Sequence, residues 1–372
     1  MKLRLLLVGG GHSHLEILRR QVLTPHPAFD LALVSFADRH HYSGMVPGYL
    51  AGQYTEREIA FALPPLAAAA GGRFLRGEAV AVDPVRRVVE LDDGRDLPYD
   101  LVSFGVGSLA RGSHRPEVAG YAQLVKPISH AVALRERLQA LAASREEARA
   151  VVVGAGAAGY EIACAVAAVL DAAERKREVT LVDAAGTILP GASPRLRERG
   201  EEVLLRKGIG TQLGAAVEHV TSAAVRLADG TELRSDLTVW LTGAEAPALF
   251  ATSGLAVDEK GFLLVDSSLR SISHPEVFGA GDCVTLRDHP ETPKAGVYAV
   301  REGPVLWRSL VAAAEGTTPP RYEPQGDFLS LLNTADGKAL LWYRGRVTHG
   351  AWALSLKDLI DRRFLEKYQR LA

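Results

Sequence analysis

Apolar residues in this chain come in short continuous runs that stop at glycines. LRLLLV (Leu3–Val8) ends at Gly9-Gly10-Gly11, and ARAVVV (Ala148–Val153) ends at Gly154. After each glycine group the pattern turns helical, in HSHLEILRR and in AAGYEIACAVAAVL. LALVS (Leu31–Ser35) and VTLVD (Val179–Asp183) then repeat the strand signature. Strands apolar on both faces belong to parallel sheets covered by helices, so the pattern predicts an α/β fold. The window from Ala150 to Ala173 is long enough to suggest a membrane span. Glu161 and the three glycines inside it argue instead for a buried strand, turn and helix.

The pattern occurs twice. GRFLRGEAVAVDPVRRVVELDDGRDLPYDLVSFGVGS is similar to GIGTQLGAAVEHVTSAAVRLADGTELRSDLTVWLTGA. Each holds a strand, a hairpin around Asp-Gly, and an apolar strand ending at glycine. The spacing is constant at 136 residues, from Asp93 to Asp229 and from Gly107 to Gly243. This order of features predicts two Rossmann-like dinucleotide-binding units in one chain. In such a turn the first glycine permits the tight bend and the second lets a pyrophosphate reach the backbone. The third lets the helix pack close to the strand, aiming its N-terminal N–H groups at the phosphates. Gly154, Gly156 and Gly159 supply all three. The first turn has Gly9 and Gly11 but carries His14 in the third place.

Bulk composition narrows the partners. Of 372 residues 47% are hydrophobic and 23% charged, with a net charge of −1. A sizeable core is expected, and no electrostatic attraction to nucleic acid. The two cysteines, Cys164 and Cys283, lack disulfide-framework or metal-ligand spacing, so no metal site is expected and a reducing compartment fits. The apolar run at the N-terminus is too short for a signal peptide, which points to a cytoplasmic protein.

Further motifs carry a family resemblance. GGGHSH (9–14), YSGMVPG (42–48), VKPI (125–128), GAGAAGYE (154–161), GAGDC (279–283) and PKAGVYAVREGP (293–304) stand in this order. With them the chain resembles the two-dinucleotide-domain flavoproteins of the pyridine nucleotide-disulfide oxidoreductase superfamily. Within it the chain resembles type II NADH:quinone and sulfide:quinone oxidoreductases. It is more similar still to bacterial flavoproteins, some of them fused to selenophosphate synthetase. The resemblance implies a discontinuous FAD domain (1–127 and 244–325), an inserted NAD(H) domain (128–243), and C-terminal strands with an amphipathic helix (326–372). FAD and NADH are the implied cofactors. Gly281 and Asp282 are expected at the flavin ribityl chain, and Ala295, Gly296 and Val297 at a helix start facing the flavin.

Individual residues sharpen these expectations. His12 opens the first helix near the expected pyrophosphate. His14 reads either as a packed histidine bonded to backbone or as a flavin or phosphate contact. Ser35 stands where the family carries a carboxylate for the adenosine ribose, Asp38 is a substitute, and Arg39 is within reach of the pyrophosphate. Asp183 accepts a ribose 2′-OH and repels a 2′-phosphate, which favours NADH over NADPH. Gly243 closes the second unit. Glu161 is expected beside the nicotinamide, or simply as a first-turn acid favoured by the helix dipole. Tyr42, Tyr298 and Lys294 are candidate linings of an acceptor site, with Glu161, Tyr42 and Lys294 the candidate catalytic residues.

YSGMVPG has no cysteine pair, which argues against disulfide or sulfide chemistry. Where the quinone reducers carry glutamines, this chain has Val297, Arg301 and Glu302. The expected reaction is hydride transfer from NADH to FAD, then to a quinone-like or other small acceptor. The alternatives are a flavoprotein acting on selenium or sulfur compounds, and an FAD/NADH redox-sensing binding protein. In the tail, Trp352, Leu356, Leu359, Ile360, Phe364, Tyr368 and Leu371 recur at helical spacing beside an excess of basic residues. That helix reads as a peripheral contact with the inner face of the membrane, or as one packed on its own domain or on the partner of a homodimer.

Overall fold

A computed structural model describes residues 2–144 and 147–371. Two five-stranded parallel sheets form its frame. The first runs in the order Val277–Gly279, Leu101–Phe104, Leu3–Val8, Phe29–Ser35, Arg73–Arg76. The second runs Ala122–Leu124, Leu237–Trp240, Glu147–Val153, Lys176–Asp183, Ile209–Leu213. Four strands of each follow the duplicated sequence plan. The fifth is borrowed. The first sheet takes an edge strand from chain beyond the second unit, and the second takes one from before it. The second sheet thus begins at Ala122, ahead of the sequence-based boundary at 128. The Asp-Gly pairs turn antiparallel hairpins in both units, with Gly94 and Gly230 at φ of 82° and 87°.

The two glycine turns solve one steric problem in two ways. In the second, Gly154 has φ 110°, and a Cβ on Gly159 would lie 1.7 Å from the Gly154 carbonyl oxygen. Only glycine fits there. In the first turn Gly9 has φ 94°, and His14 stands in the place of Gly159. Its Nδ1 is 2.7 Å from the Gly9 carbonyl oxygen and its Nε2 2.9 Å from Ser103 Oγ. The carbonyl that excludes a side chain in one turn accepts a hydrogen bond from one in the other. Nε2 then accepts from the serine hydroxyl. Space for the ring comes from Gly105, which occupies the position of Leu241 in the second unit: a Cβ on Gly105 would lie 2.9 Å from the ring. Burial pushes the His14 pKa down to about 4, so the ring is neutral. His14 is therefore the packed, backbone-bonded histidine of the two readings.

Behind the two units, Ser330–Asn333, Ala339–Tyr343 and Arg346–Gly350 form an antiparallel sheet that leads into the tail helix Ala351–Gln369. The apolar stripe expected along this helix is split. Phe364 and Tyr368 are buried against the first unit, while Trp352, Leu359 and Ile360 are exposed. The buried face continues through Ala353, Lys357 and Asp361 instead, so two charged residues lie inside.

The exchange between His14 and Gly105 is testable. Gly105→Ala is expected to lower unfolding free energy by ~1–3 kcal/mol through overpacking against the ring, read by urea titration. The double variant His14→Ala/Gly105→Ala is expected to cost less than the two single losses together. Additive losses would refute the exchange.

Candidate active site

Each glycine turn leaves a helix start open. Gly11 and Gly156 are the N-caps of helices His12–Leu23 and Ala157–Ala172, and neither helix has a side-chain cap. A Cβ on Gly156 would meet nothing within 4 Å, so the backbone there is open to an approaching ligand. By contrast, the helix Pro194–Arg206 is capped by Ser193, whose side chain accepts from the Leu196 N–H. Uncapped first-turn N–H groups beside an open glycine suit a phosphate. Asp183 ends its strand as expected. Its Oδ2 accepts from the Ala155 N–H at 2.6 Å and its Oδ1 from Ala185 at 2.7 Å, bracing the glycine loop. Gly243 follows the neighbouring parallel strand Leu237–Trp240, its carbonyl accepting from the Arg111 N–H at 2.8 Å. In the first unit Ser35 is buried at its strand end, and Arg39 pairs loosely with Glu56 at 3.7 Å.

A third open helix start faces the first turn. Ala295 is the N-cap of the long helix Gly296–Glu315, which has no side-chain cap and no acid in its first turn, where Val297 also lies. A Cβ on Gly296 would lie 3.8 Å from Ser43 Oγ and 3.9 Å from His12 Cε1, so these three groups share one wall. Burial lowers the His12 pKa to about 4, against a weaker opposing pull from Asp282. Next to it, His40 donates through Nδ1 to the Gly10 carbonyl at 2.8 Å, and its Nε2 is buried without a partner. Such an orphaned polar atom fits a missing ligand. The Gly281–Asp282 turn closes the wall. Glu302 Oε2 accepts from the Gly281 N–H at 2.5 Å, and Asp282 Oδ2 accepts from Lys126 Nζ at 3.0 Å and Ser108 Oγ at 3.1 Å.

Glu161 lies beyond the first turn of the helix Ala157–Ala172, so it is not the first-turn acid of the alternative reading; it anchors a buried polar group. Its Oε1 accepts from the Asn333 N–H at 2.7 Å. Lys357 Nζ donates to Asp361 Oδ2 at 2.8 Å and to the Gly44 carbonyl at 2.6 Å. Tyr42 donates to Asp361 at 3.2 Å, and its ring stacks on Phe364 at 4.7 Å. Burial pushes the Glu161 carboxyl up to about 7, against the opposing pull of Lys357. Burial also works against the Lys357 charge, but the carboxylates of Glu161 and Asp361 outweigh it and its pKa ends above the ordinary lysine value. Burial and Asp361 raise the Tyr42 pKa, so the phenol keeps its proton.

Glu161 and Tyr42 are thus brought together, with Lys357 and Asp361 between them. Lys294 is not. Its ammonium donates to the Val284 carbonyl and to Thr285 Oγ1, and lies 4.3 Å over the Phe262 ring. Tyr298, in the first turn of the helix Gly296–Glu315, donates to the Gln325 carbonyl at 3.5 Å. Both cysteines are buried, and burial raises each thiol to about 12. Neither supplies a thiolate near neutral pH. Among the described residues no three His, Cys, Asp or Glu side chains are arranged to hold a metal ion.

Two open glycine turns and a shared polar wall are the parts of a two-nucleotide flavoprotein. The model of the family described as pyridine nucleotide-disulphide oxidoreductase matches residues 3–303. The chain belongs to this family. An NADH dehydrogenase-like protein of Mycobacterium tuberculosis strain H37Rv is 32% identical over 231 residues, covering 59% of this chain and 56% of that protein. The chain therefore matches little more than half the length of that relative. The type II NADH:quinone oxidoreductase Ndh of the same organism is 28% identical over 357 residues, covering 86% of this chain and 75% of the relative. The solved structure of NDH2 from Plasmodium falciparum in complex with NADH shares the fold, with a TM-score of 0.85 at 13% identity over 100% of this chain and 96% of that one.

Sequence reasoning missed Lys126, Lys357 and Asp361 in this family member. Lys126 was visible only as part of the VKPI motif. Lys357 and Asp361 sit four apart on one helix face, which is also the signature of an exposed pair.

The Glu161 shift carries a sign. Its folded value of about 7 lies above the ordinary 4.5, so between these values the folded state holds a proton that the unfolded state has lost. Stability then falls as pH rises through that window. Glu161→Gln is expected to flatten this fall by up to ~3 kcal/mol, read by urea unfolding near pH 5 and pH 8. An unchanged slope would refute the assignment; Glu302, raised to about 7 by burial, supplies the slope that remains.

Proposed function

We propose that the protein is an FAD-dependent oxidoreductase that takes hydride from NADH and passes electrons to a quinone-like or other small acceptor. The observation that carries this is the meeting of His12 and Ser43 at the long helix start, with Lys357 joining the adjacent Gly44 carbonyl of the first unit to Glu161 of the second. Bound FAD supplies a ring that accepts a hydride and gives up its electrons again. The chain's own residues do the rest. The first turn, with Gly9, Gly11 and His12, holds the FAD pyrophosphate, with Ser35 and Arg39 toward the adenosine end. Asp282, steadied by Lys126, holds the ribityl chain. The uncapped helix start at Ala295, Gly296 and Val297 offers N–H groups where negative charge collects. In the second unit Gly154, Gly156 and Gly159 hold the NADH pyrophosphate and Asp183 takes the ribose hydroxyl. Glu161 aligns the nicotinamide, and Tyr42 and Lys357 close the site against water.

The relative named a type II NADH:quinone oxidoreductase supports the quinone-like acceptor. Among the described residues no helix is long and apolar enough to cross a membrane. The exposed Trp352, Leu359 and Ile360, with Arg363 and Lys367 on the same helix, suit a peripheral membrane contact.

In an anaerobic titration followed by flavin absorbance, stoichiometric NADH is expected to bleach the bound flavin, with NADPH at least about tenfold weaker. Asp183→Ala is expected to narrow that gap. Flavin that neither nucleotide bleaches would sink the reading.

The membrane contact has its own test. Wild-type protein is expected to pellet with phosphatidylglycerol vesicles, and Trp352→Ala/Leu359→Ser/Ile360→Ser to stay in solution. Equal pelleting of both would remove the tail helix from any membrane role.

A further inference from the structure

One cleft opens beside the site above. It lies between the first helix, the long helix and the tail helix, and encloses about 510 Å³, within the range of small-molecule pockets. Its apolar lining is Val300, Pro304, Phe364 and Tyr368. Its cationic side chains are Arg19, Arg20, Arg301 and Lys367. Glu16 neutralises part of that charge by bonding both Arg19 and Arg20 at 2.7 Å. Arg301 and Lys367 have no ion-pair or hydrogen-bond partner among the described residues, and both are exposed. Glu323 is the one other acid in the lining.

Two further groups point to a ligand. Tyr322, 5% exposed, lines the cleft with its hydroxyl buried and unpartnered, and the Gln325 amide nitrogen is in the same condition. A buried donor without an acceptor is costly, and a ligand oxygen would relieve it. The cleft is also next to the chemistry. Phe364 forms part of its wall, and the same ring stacks on Tyr42 at 4.7 Å and lies 5.5 Å from His12. A planar molecule laid on Phe364 from the cleft is one aromatic ring away from the proposed flavin wall.

We infer that this cleft is the acceptor site, and that it selects a small aromatic acceptor carrying an anionic group such as a carboxylate or sulfonate. The ring packs on Phe364 and Tyr368, and the anionic group is met by Arg301 and Lys367. This rests on the oxidoreductase reading and deepens it. The overall step balances with the two substrates and one solvent proton: NADH + H⁺ + quinone → NAD⁺ + hydroquinone.

The probes are a naphthoquinone sulfonate and neutral menadione. Binding of each to the oxidised FAD-loaded protein is measured by calorimetry, without NADH. The sulfonate is expected to bind more tightly, and to weaken with added salt. Arg301→Gln/Lys367→Gln is expected to raise the ratio of Kd values, sulfonate over menadione, by about tenfold, with the KM ratio moving in parallel. An unchanged ratio would overturn the proposal. So would displacement of the sulfonate by inorganic phosphate at equal concentration, since the ring would then contribute nothing. Flavin bleaching by NADH is measured on the same samples. If bleaching is absent, the oxidoreductase reading fails, and the calorimetric ratio still decides the cleft.

Discussion

The Lys357 ammonium is a charge taken almost wholly out of water, its side chain 9% exposed and that of its partner Asp361 6%. A buried cation is tolerable only when its surroundings replace the lost hydration. Here the replacements come from three parts of the chain. The Gly44 carbonyl belongs to the first unit, Asp361 to the tail helix, and Glu161 acts from the second unit. One ammonium thus ties the tail, the Tyr42 loop and the second unit to a single point. Removing it would leave two buried carboxyl groups without a counter-ion at the junction of all three parts.

The frame around that junction was legible because its rules are local. Glycines where a Cβ would strike a carbonyl, Asp-Gly hairpins and apolar runs of strand length are written in adjacent residues. The constant spacing between the two units showed the duplication. The role of His14 was only half legible. The residue announced a departure, but the compensation lies at Gly105 and Ser103, about ninety residues away, and their effect depends on the register between strands.

The buried charges of the tail were not legible for a different reason. Lys357 and Asp361 stand among several other charged residues, and periodicity alone cannot say which charge faces inward. Their partners are a backbone carbonyl and a carboxylate from distant segments, neither of which has a sequence signature. The apolar residues of this helix serve two surfaces. Phe364 and Tyr368 close the first unit, while Trp352, Leu359 and Ile360 are left outside. Lys294 shows the converse case. A lysine inside a family motif invited a catalytic reading, and its ammonium is occupied by a carbonyl and a hydroxyl of its own unit.

The borrowed edge strands set an order of assembly. As the chain leaves the ribosome, the second sheet has all five of its strands by Trp240, while the first still lacks Val277–Gly279. The inner unit is therefore complete before the outer one, although the outer one begins first. Until that last strand arrives, Leu101–Phe104 presents an unpaired edge of the kind that invites wrong pairing. The Gly281–Asp282 turn follows that strand directly, so the residues proposed to hold the flavin come into place in the same step that closes the sheet.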